Sequence, residues 1–300
     1  MSGARLFVSP LRYPGGKTHF TPKFVRWLGD RSFTAIVEPF CGGASMSFGL
    51  LKTGIVQQAH ISDADPYLIN FWTVAATEPE KLIADFMSEP LSRERAEWWR
   101  SVEPESLDDQ TRALQALYIN RSSFGGSFFM SGIRFRADND ERVARGEARE
   151  TLSELFQREK VAAGIRQVAE WHGTGRLTIS HRDYTSAAAD APDGSLIYLD
   201  PPYVVKGSKL YTHVFNDQDH KQLAETVYAL SETHSVAVSY DDHPLVRDLY
   251  SEPPMLFHHP SWSYCMTRGV GRNSAELLIT NFSGGSFEKQ PTRRTSRGRH

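Results

Sequence analysis

Short runs of apolar and β-branched residues recur along the chain, and most of them end in a polar or acidic residue. The five runs are AIVEPF (35–40), QAHISDAD (58–65), LTISHRDY (177–184), LIYLDPPY (196–203) and SVAVSYDD (235–242). Between the last two, residues 216–234 carry apolar side chains at helical spacing, which predicts a helix capped by Asp217 or Asp219. Strands that alternate with helices are typical of a parallel, doubly wound α/β sheet.

The end of the chain predicts a different strand arrangement. Residues 255–264 and 275–282 have strand-like patterns, and the segment TRGVGRNS between them contains two glycines. A short link of this kind favours an antiparallel hairpin at the edge of the sheet. We therefore expect an α/β sheet that is mostly parallel and has an antiparallel C-terminal hairpin.

The middle of the chain, residues 77–176, is mainly helical in its pattern and predicts an inserted domain. Residues 1–76 and 177–283 then form one discontinuous domain around the sheet. Within the insertion, YINRSSFGGSFFMSGIRFR (118–136) is rich in glycine, serine and aromatic residues and contains three arginines and no acid. This composition predicts an exposed loop or hairpin that interrupts the helices.

Length and composition indicate a globular protein. Three hundred residues with 40% hydrophobic content can bury a large core. No window reaches the ~18 continuous apolar residues of a membrane span, and the N-terminus does not have the pattern of a signal peptide, so we expect a cytoplasmic protein. Cys41 and Cys265 are too few for a disulfide framework or a cysteine zinc site, so no metal is expected.

Positive charge is concentrated at the C-terminus. The formal net charge is -2, although residues 284–300 contain five basic residues and one acid. This segment predicts a disordered basic tail, for which a solubilising role and nonspecific phosphate binding are equally plausible. Because the rest of the chain is more acidic than the total, any nucleic-acid surface must be a local patch.

Three motifs would meet beyond the carboxyl ends of the parallel strands, where open α/β sheets bind ligands. VEPFCGG (37–43) supplies glycines that permit close backbone approach, although a tight turn requires glycine anyway. Asp63 ends the second strand, where an acid accepts ribose hydroxyls or caps a helix. LRYPGGK (11–17) adds an aromatic residue and a lysine, and it lacks the spacing of a P-loop.

The fourth motif, Asp200-Pro201-Pro202-Tyr203, is the most specific. The two prolines remove backbone donors and fix their φ angles, which leaves rigidly placed carbonyl oxygens beside the carboxylate of Asp200. Two acceptors that bind both hydrogens of an exocyclic amine localise its lone pair, and Tyr203 offers a ring on which a planar base can stack. The sequence therefore predicts a site for a planar amine.

With the motifs RYPGGK, EPFCGG, SDADPYL, INRSSFGG, DPPY and ELLITN in this order, the chain resembles the Dam-type, alpha-group DNA adenine-N6 methyltransferases up to about Phe282. The resemblance implies a Rossmann-like sheet that binds S-adenosylmethionine (SAM), with the helical insertion as a target-recognition domain. It also implies a monomeric, bacterial or phage-encoded enzyme that acts on double-stranded DNA without a metal.

The resemblance also implies roles for individual residues. The expected catalytic residues are Asp200, Pro201, Pro202 and Tyr203. The expected cofactor-binding residues are Tyr13, Lys17, Phe40, Gly42, Gly43, Asp63, Asp183 and Asp200. In this assignment Tyr13 and Lys17 contact the methionyl side of SAM, Asp63 holds the ribose, and Asp183 lies near the adenine of the cofactor.

The expected DNA-binding residues lie in the segment 118–136 and in the TRGVGRNS link of the C-terminal hairpin. They are Asn120, Arg121, Phe129, Arg134, Arg136, Arg268 and Arg272. For any one of these arginines, a solvated loop position is the commoner explanation. Members specific for GATC carry an arginine where this chain places Phe129, so the resemblance does not extend to GATC specificity.

Two alternatives to adenine methylation remain open at the level of sequence. N4-cytosine methylation is possible because the cytosine amine is activated in the same way. A catalytically inactive DNA-binding relative would not need Lys17, Asp63, Asp200 and Tyr203 together, so their presence favours an enzyme.

Overall fold

The strands follow the predicted order and join into one sheet. The structure is a computed structural model, and it describes residues 7, 9–13, 15–126, 128, 132–149, 151–204, 215–260 and 276–287. The strands are β1 (Phe33–Glu38), β2 (Val56–Asp63), β3 (Leu177–His181), β4 (Leu196–Leu199), β5 (Ser235–Asp241), β6 (Leu256–His258) and β7 (Glu276–Thr280). Their order in the sheet is β3-β2-β1-β4-β5-β7-β6.

The first five strands are parallel, and β7 pairs antiparallel with both β5 and β6. The prediction of a mostly parallel sheet with an antiparallel hairpin at its edge is therefore confirmed. The chain leaves β1 toward β2 and β3 and then returns to the opposite side of β1 as β4. This reversal opens a crevice beyond the carboxyl ends of β1 and β4.

Helices cover both faces of the sheet. They are α1 (Thr21–Leu28), α2 (Ser45–Thr53), α3 (Pro66–Thr77), α4 (Pro79–Ser88), α5 (Arg93–Ser101), α6 (Asp109–Ser122), α7 (Asn139–Ala144), α8 (Leu152–Phe156), α9 (Arg158–Gly173), α10 (Tyr184–Ala189), α11 (Asp217–Ser231) and α12 (Pro244–Leu249). None of the helices in the described ranges is long and apolar enough to cross a membrane.

Strand β4 shows why its sequence is apolar at every position. Leu196 and Tyr198 face the core formed with α1, α2 and α3, whereas Ile197 and Leu199 face the core formed with α11 and α12. All four side chains are buried. A strand with helices on both faces needs apolar residues at every position, so no alternation is visible.

The helices of the middle of the chain pack onto the sheet through α3. Helices α6 and α9 both contact α3, and their apolar residues belong to the same core cluster. Helix α6 continues to Ser122, so the first five residues of the predicted loop 118–136 are helical instead. An antiparallel bridge between Ser123 and Ile133 then closes the loop.

The predicted cap of α11 and the predicted first residue of the tail are both wrong. Asn216 caps α11 by accepting the N–H groups of Gln218 and Asp219, and Asp219 completes the capping box. The predicted tail begins too early, because residues 284–287 pack on α1 and Phe287 stacks on Trp27 with ring centroids 5.3 Å apart. The remainder of the predicted tail, 288–300, lies outside the described residues.

Candidate active site

A cavity of about 370 Å³ lies beyond the carboxyl ends of β1, β2 and β4. All eight residues predicted to bind the cofactor line it: Tyr13, Lys17, Phe40, Gly42, Gly43, Asp63, Asp183 and Asp200. Pro202 also contributes to the lining, and Pro201 and Tyr203 are buried. The topology therefore brings together motifs that are far apart in the sequence.

The glycine turn after β1 is shaped by the ring of Tyr13. Gly42 has φ +44°, and a Cβ there would lie 2.7 Å from the Tyr13 ring. At Gly43 a Cβ would lie 3.1 Å from Cβ of Tyr13. The adjacent glycines of FCGGA thus permit this aromatic contact, and the indole N–H of Trp72 donates to the carbonyl oxygen of Gly42 at 3.0 Å.

Asp63 holds the glycine turn in place from the end of β2. Its Oδ2 accepts the N–H of Gly42 at 3.2 Å, and its Oδ1 accepts the N–H of Asp65 at 3.1 Å. Burial raises the pKa of Asp63 to about 6, although these hydrogen bonds oppose the shift. Asp65, not Asp63, caps α3, so the capping alternative for Asp63 is excluded.

Lys17 connects two residues of the DPPY motif. Its Nζ lies 2.7 Å from both carboxylate oxygens of Asp200 and donates to the Tyr203 hydroxyl at 3.1 Å and to the Gly15 carbonyl at 3.0 Å. The Lys17 side chain is 5% exposed and that of Asp200 is 18% exposed. Burial raises the pKa of Asp200, and the Lys17 ammonium opposes this shift.

Asp183 lies at the N-terminus of α10. Its carboxylate accepts the N–H groups of Thr185 and Ser186 and the hydroxyl groups of both residues. The hydrogen bonds from Thr185 and Ser186 hold the pKa of Asp183 well below its usual range. Asp183 is thus a charged acceptor at the edge of the cavity.

One wall of the cavity is aromatic. The Tyr184 ring stacks on Phe40 with centroids 5.4 Å apart, and Phe215 meets Phe40 edge to face at 5.9 Å. Sequence reasoning missed Tyr184 and Phe215. The signal for Tyr184 was its position directly after Asp183, whereas nothing local distinguishes Phe215 from a core residue.

Glu38 is a third residue that sequence reasoning missed. It ends β1, lines the cavity and is 3% exposed. Its Oε2 accepts the N–H of Ser47 at 2.9 Å. Burial raises the pKa of Glu38 to about 8, with nearby Asp200 adding to the shift. Its place at the end of the first parallel strand was the available signal.

Two of the predicted DNA contacts are wrong. Asn120 is fully buried, and Arg121 is 3% exposed. Arg121 donates to the carbonyl oxygens of Leu155 and Phe156, both at 3.1 Å, and burial lowers its pKa to about 9. Because α6 extends through both positions, their side chains point into packed protein and do not reach solvent.

Of the other candidate DNA contacts, Arg134 and Arg136 lie within the described residues. Arg136 has a side chain that is 68% exposed, with Nε 3.3 Å from Oδ1 of Asp138, and Arg134 is half-exposed. Phe124, which sequence reasoning did not single out, is 56% exposed in the same loop. The predicted residues Phe129, Arg268 and Arg272 lie outside the described ranges.

The chain is similar along about 90% of its length to known methyltransferases. The type II methyltransferase M1.LlaDCHI of Lactococcus lactis subsp. cremoris is 25% identical over 288 residues, which are 90% of this chain and 94% of that protein. The retron Ec67 DNA adenine methylase of Escherichia coli is 26% identical over 282 residues, 90% of each chain. A Vibrio cholerae DNA adenine methylase is 25% identical over 284 residues, 91% of this chain and 95% of that protein.

The similarity to solved structures is weaker than the similarity to these relatives. The rRNA methyltransferase AviRa from Streptomyces viridochromogenes aligns over 94% of this chain and 93% of its own, with 13% identity and a TM-score of 0.38. A TM-score of 0.38 is too low to support a conclusion about fold or function. By contrast, the model for D12 class N6 adenine-specific DNA methyltransferases matches residues 13–267 and confirms the family resemblance. The chain therefore belongs to the D12 class N6 adenine-specific DNA methyltransferases, enzymes that transfer a methyl group from a donor cofactor to N6 of adenine in DNA.

Proposed function

We propose that this protein transfers the methyl group of SAM to N6 of an adenine flipped out of duplex DNA at a specific sequence. The observation that carries the proposal is the convergence of Asp200 and the other predicted cofactor residues on one cavity. The cavity volume lies within the range of small-molecule sites, about 300–1,000 Å³.

The residues around the cavity fit the parts of SAM. Gly42 and Gly43 let the Tyr13 ring pack closely on the turn, and all three residues line the cavity in which an extended ligand would lie. The Asp63 carboxylate suits the two ribose hydroxyls. The aromatic wall of Phe40, Tyr184 and Phe215 suits a purine ring, with Asp183 as an acceptor for its amine.

When bound, SAM supplies a methyl group on a positively charged sulfur, which is an excellent leaving group. The protein has to bring N6 of the target into line with that methyl group. Asp200 accepts one hydrogen of the N6 amine, and a carbonyl oxygen of the Pro201-Pro202 segment accepts the other. Held this way, the nitrogen lone pair would point toward the methyl carbon of a bound SAM. As the C–N bond formed and the C–S bond broke, the sulfur would leave as a neutral thioether, and the extra proton on N6 would pass to Asp200 or to water.

Tyr203 offsets the cost of removing adenine from the duplex. Flipping a base costs a few kcal/mol, and stacking on an aromatic ring returns roughly 1–3 kcal/mol. The Tyr203 ring is 8% exposed in this structure. Stacking therefore requires the ring to be uncovered in the DNA complex, and breaking the Lys17 hydrogen bond to its hydroxyl is one step toward this.

The proposed partner also bears on where the enzyme acts. DNA as substrate and the bacterial relatives favour action in the cytoplasm of a bacterium. In line with the family resemblance, we also propose that the enzyme acts on DNA as a monomer.

The test removes the Asp200 carboxylate and measures methyl transfer to DNA from radiolabelled SAM. We expect Asp200→Ala to lose at least about 100-fold in rate, because the amine is no longer aligned, and to remain folded. Asp242→Ala is the matched control, because it removes an ion-paired carboxylate that does not line the cavity. Wild-type activity in Asp200→Ala would overturn the mechanism.

The product identifies the reaction. Mass spectrometry of nucleosides from the methylated DNA should give N6-methyladenine, and N4-methylcytosine would overturn the proposed target. Sequencing that detects methylated adenines in a host expressing the protein would then define the recognition sequence.

A further inference from the structure

Asn120 lies between two loops with different proposed tasks. Its Oδ1 accepts the N–H of Arg12 at 2.8 Å, and its Nδ2 donates to the carbonyl oxygens of Arg12 and Gly126, both at 2.7 Å. The side chain is fully buried. One amide group thus binds both backbone groups of Arg12 and, at the same time, the backbone of Gly126.

The two loops also touch directly. Gly126 has φ +77°, and a Cβ there would lie 2.4 Å from the carbonyl oxygen of Arg12. Gly126 belongs to the segment 123–133, which the Ser123–Ile133 bridge closes and which carries the exposed Phe124. We refer to the described residues of this segment, 123–126, 128, 132 and 133, as the recognition loop.

Arg12 begins the turn that leads into the cavity. Within this turn the N–H of Gly16 donates to the carbonyl oxygen of Tyr13 at 2.9 Å. The Tyr13 ring packs against the glycine turn of β1, and Lys17 binds Asp200 and Tyr203. We refer to the described residues of this turn, 12, 13 and 15–17, as the cofactor turn. Hydrogen bonds and peptide bonds therefore link Gly126 to Asp200 through Asn120, the cofactor turn and the Lys17 side chain.

We propose that Asn120 is a positioning residue that fixes the cofactor turn against the recognition loop. DNA bound at this loop and a cofactor bound in the cavity are thereby held in one position relative to each other. The inference rests on the proposed function. It assigns to Asn120 an indirect role in methyl transfer in place of the DNA contact predicted from sequence. Physical contiguity makes such coupling possible, and a measured effect on both sites establishes it.

The test uses a substitution that keeps the size of the side chain and replaces its amide donor with a carboxylate oxygen. Asn120→Asp places a carboxylate against the two carbonyl oxygens that now accept from Nδ2, and the repulsion separates the loops. We expect kcat for DNA methylation to fall at least about tenfold, since small misplacement is costly in catalysis. We also expect weaker SAM binding, measured by calorimetry without DNA.

Gln115 provides the matched control on the same helix. It is fully buried, and its Nε2 donates to the carbonyl oxygens of Trp99 and Val102 at 2.8 and 2.7 Å. Gln115→Glu makes the same chemical change at a position that does not contact the cofactor turn. We expect a similar loss of Tm in both variants and a loss of kcat and SAM affinity only in Asn120→Asp.

The pH dependence of kcat separates positioning from a general loss of stability, because Gln115→Glu should show no deficit in kcat at any pH at which it is folded. When the carboxyl group introduced by Asn120→Asp is protonated, it regains one donor, so the deficit in kcat should shrink as pH falls and grow as pH rises. Equal losses in both variants, or unchanged kcat and SAM affinity in Asn120→Asp, would overturn the inference.

A second variant tests the same contact if Asn120→Asp does not fold. Gly126→Ala adds a Cβ that would press on the Arg12 carbonyl oxygen and leaves α6 unchanged. It should lower kcat and SAM affinity in the same direction, and wild-type values would contradict the inference. Inactive wild-type enzyme would instead contradict the proposed function, so the two failures are distinguishable.

Discussion

At the scale of single residues, Lys17 has the most consequential position in the cavity. Its ammonium group is shared between Asp200 and Tyr203, the two side chains that the proposed reaction uses on the adenine. A carboxylate that must accept amine hydrogens has to be ionised. Burial of Asp200 works against ionisation, and the nearby positive charge of Lys17 compensates.

Replacing Lys17 should therefore change the pH dependence of catalysis. Burial raises the pKa of Asp200 and Lys17 lowers it, so Lys17→Met leaves the effect of burial unopposed and this pKa should rise. The acid limb of the kcat/KM profile should move upward by at least about one pH unit, with activity lost at a higher pH as the medium is acidified. Measuring kcat/KM between about pH 5 and 9 would show the shift.

Lys52→Met is the control for this substitution. Lys52 is an exposed lysine whose Nζ donates to Gln167 at 3.1 Å, and it does not line the cavity. Its pH profile should match that of the wild-type enzyme. An unchanged profile in Lys17→Met would show that Asp200 does not depend on this ion pair.

At the scale of secondary structure elements, prediction from sequence succeeded where burial forces a pattern. The central parallel strands β1, β4 and β5 are mostly buried because helices cover both of their faces. The carboxyl ends of all the parallel strands must meet at one edge, which is why the predicted cofactor residues converge. The end of α6 was not predictable, because the motif NRSSFGG contains the small and polar residues of a loop. Packing of Asn120 and Arg121 against other segments, not local propensity, keeps this turn helical.

The C-terminal segment shows the same limit of local reasoning. The sequence around Phe287 has the composition of a tail, yet the Gly285 N–H donates to the carbonyl oxygen of Trp27 at 2.7 Å. A Cβ at Gly284 would lie 2.3 Å from the Trp27 ring, so the close contact depends on glycine. Only the tertiary structure reveals that α1 offers an aromatic surface at this point.

We predict that Phe287→Ala destabilises the sheet domain through α1. The ring stacks on Trp27 and lies 6.1 Å from Phe20, so its removal should cost about 2 kcal/mol. Thermal denaturation should show a fall in Tm of roughly 3–6 °C. Phe124→Ala, which removes a phenylalanine that is 56% exposed, should leave Tm within about 1 °C. Equal Tm values for the two variants would contradict the packing role of Phe287.

At the scale of the whole molecule, the charge distribution sets a constraint on DNA binding. A protein with net charge -2 has no general attraction for a polyanion, so binding must depend on a limited number of local cations. Each phosphate neutralised releases counterions and contributes about -0.9 to the slope of log K against log salt for duplex DNA. The binding constant should therefore fall steeply as salt increases.

The slope can be assigned to individual residues. We predict that Arg136→Gln reduces the magnitude of the slope by about 0.9 and weakens binding similarly on all sequences, as expected for loss of one phosphate contact. Fluorescence anisotropy with a labelled duplex between about 50 and 200 mM salt would measure it. Arg166→Gln is matched to it, since Arg166 is also exposed and ion-paired, with Nε 2.8 Å from Glu80 on α4. The slope of Arg166→Gln should equal that of the wild type, whereas a salt-independent affinity of the wild-type protein would contradict duplex DNA as the substrate.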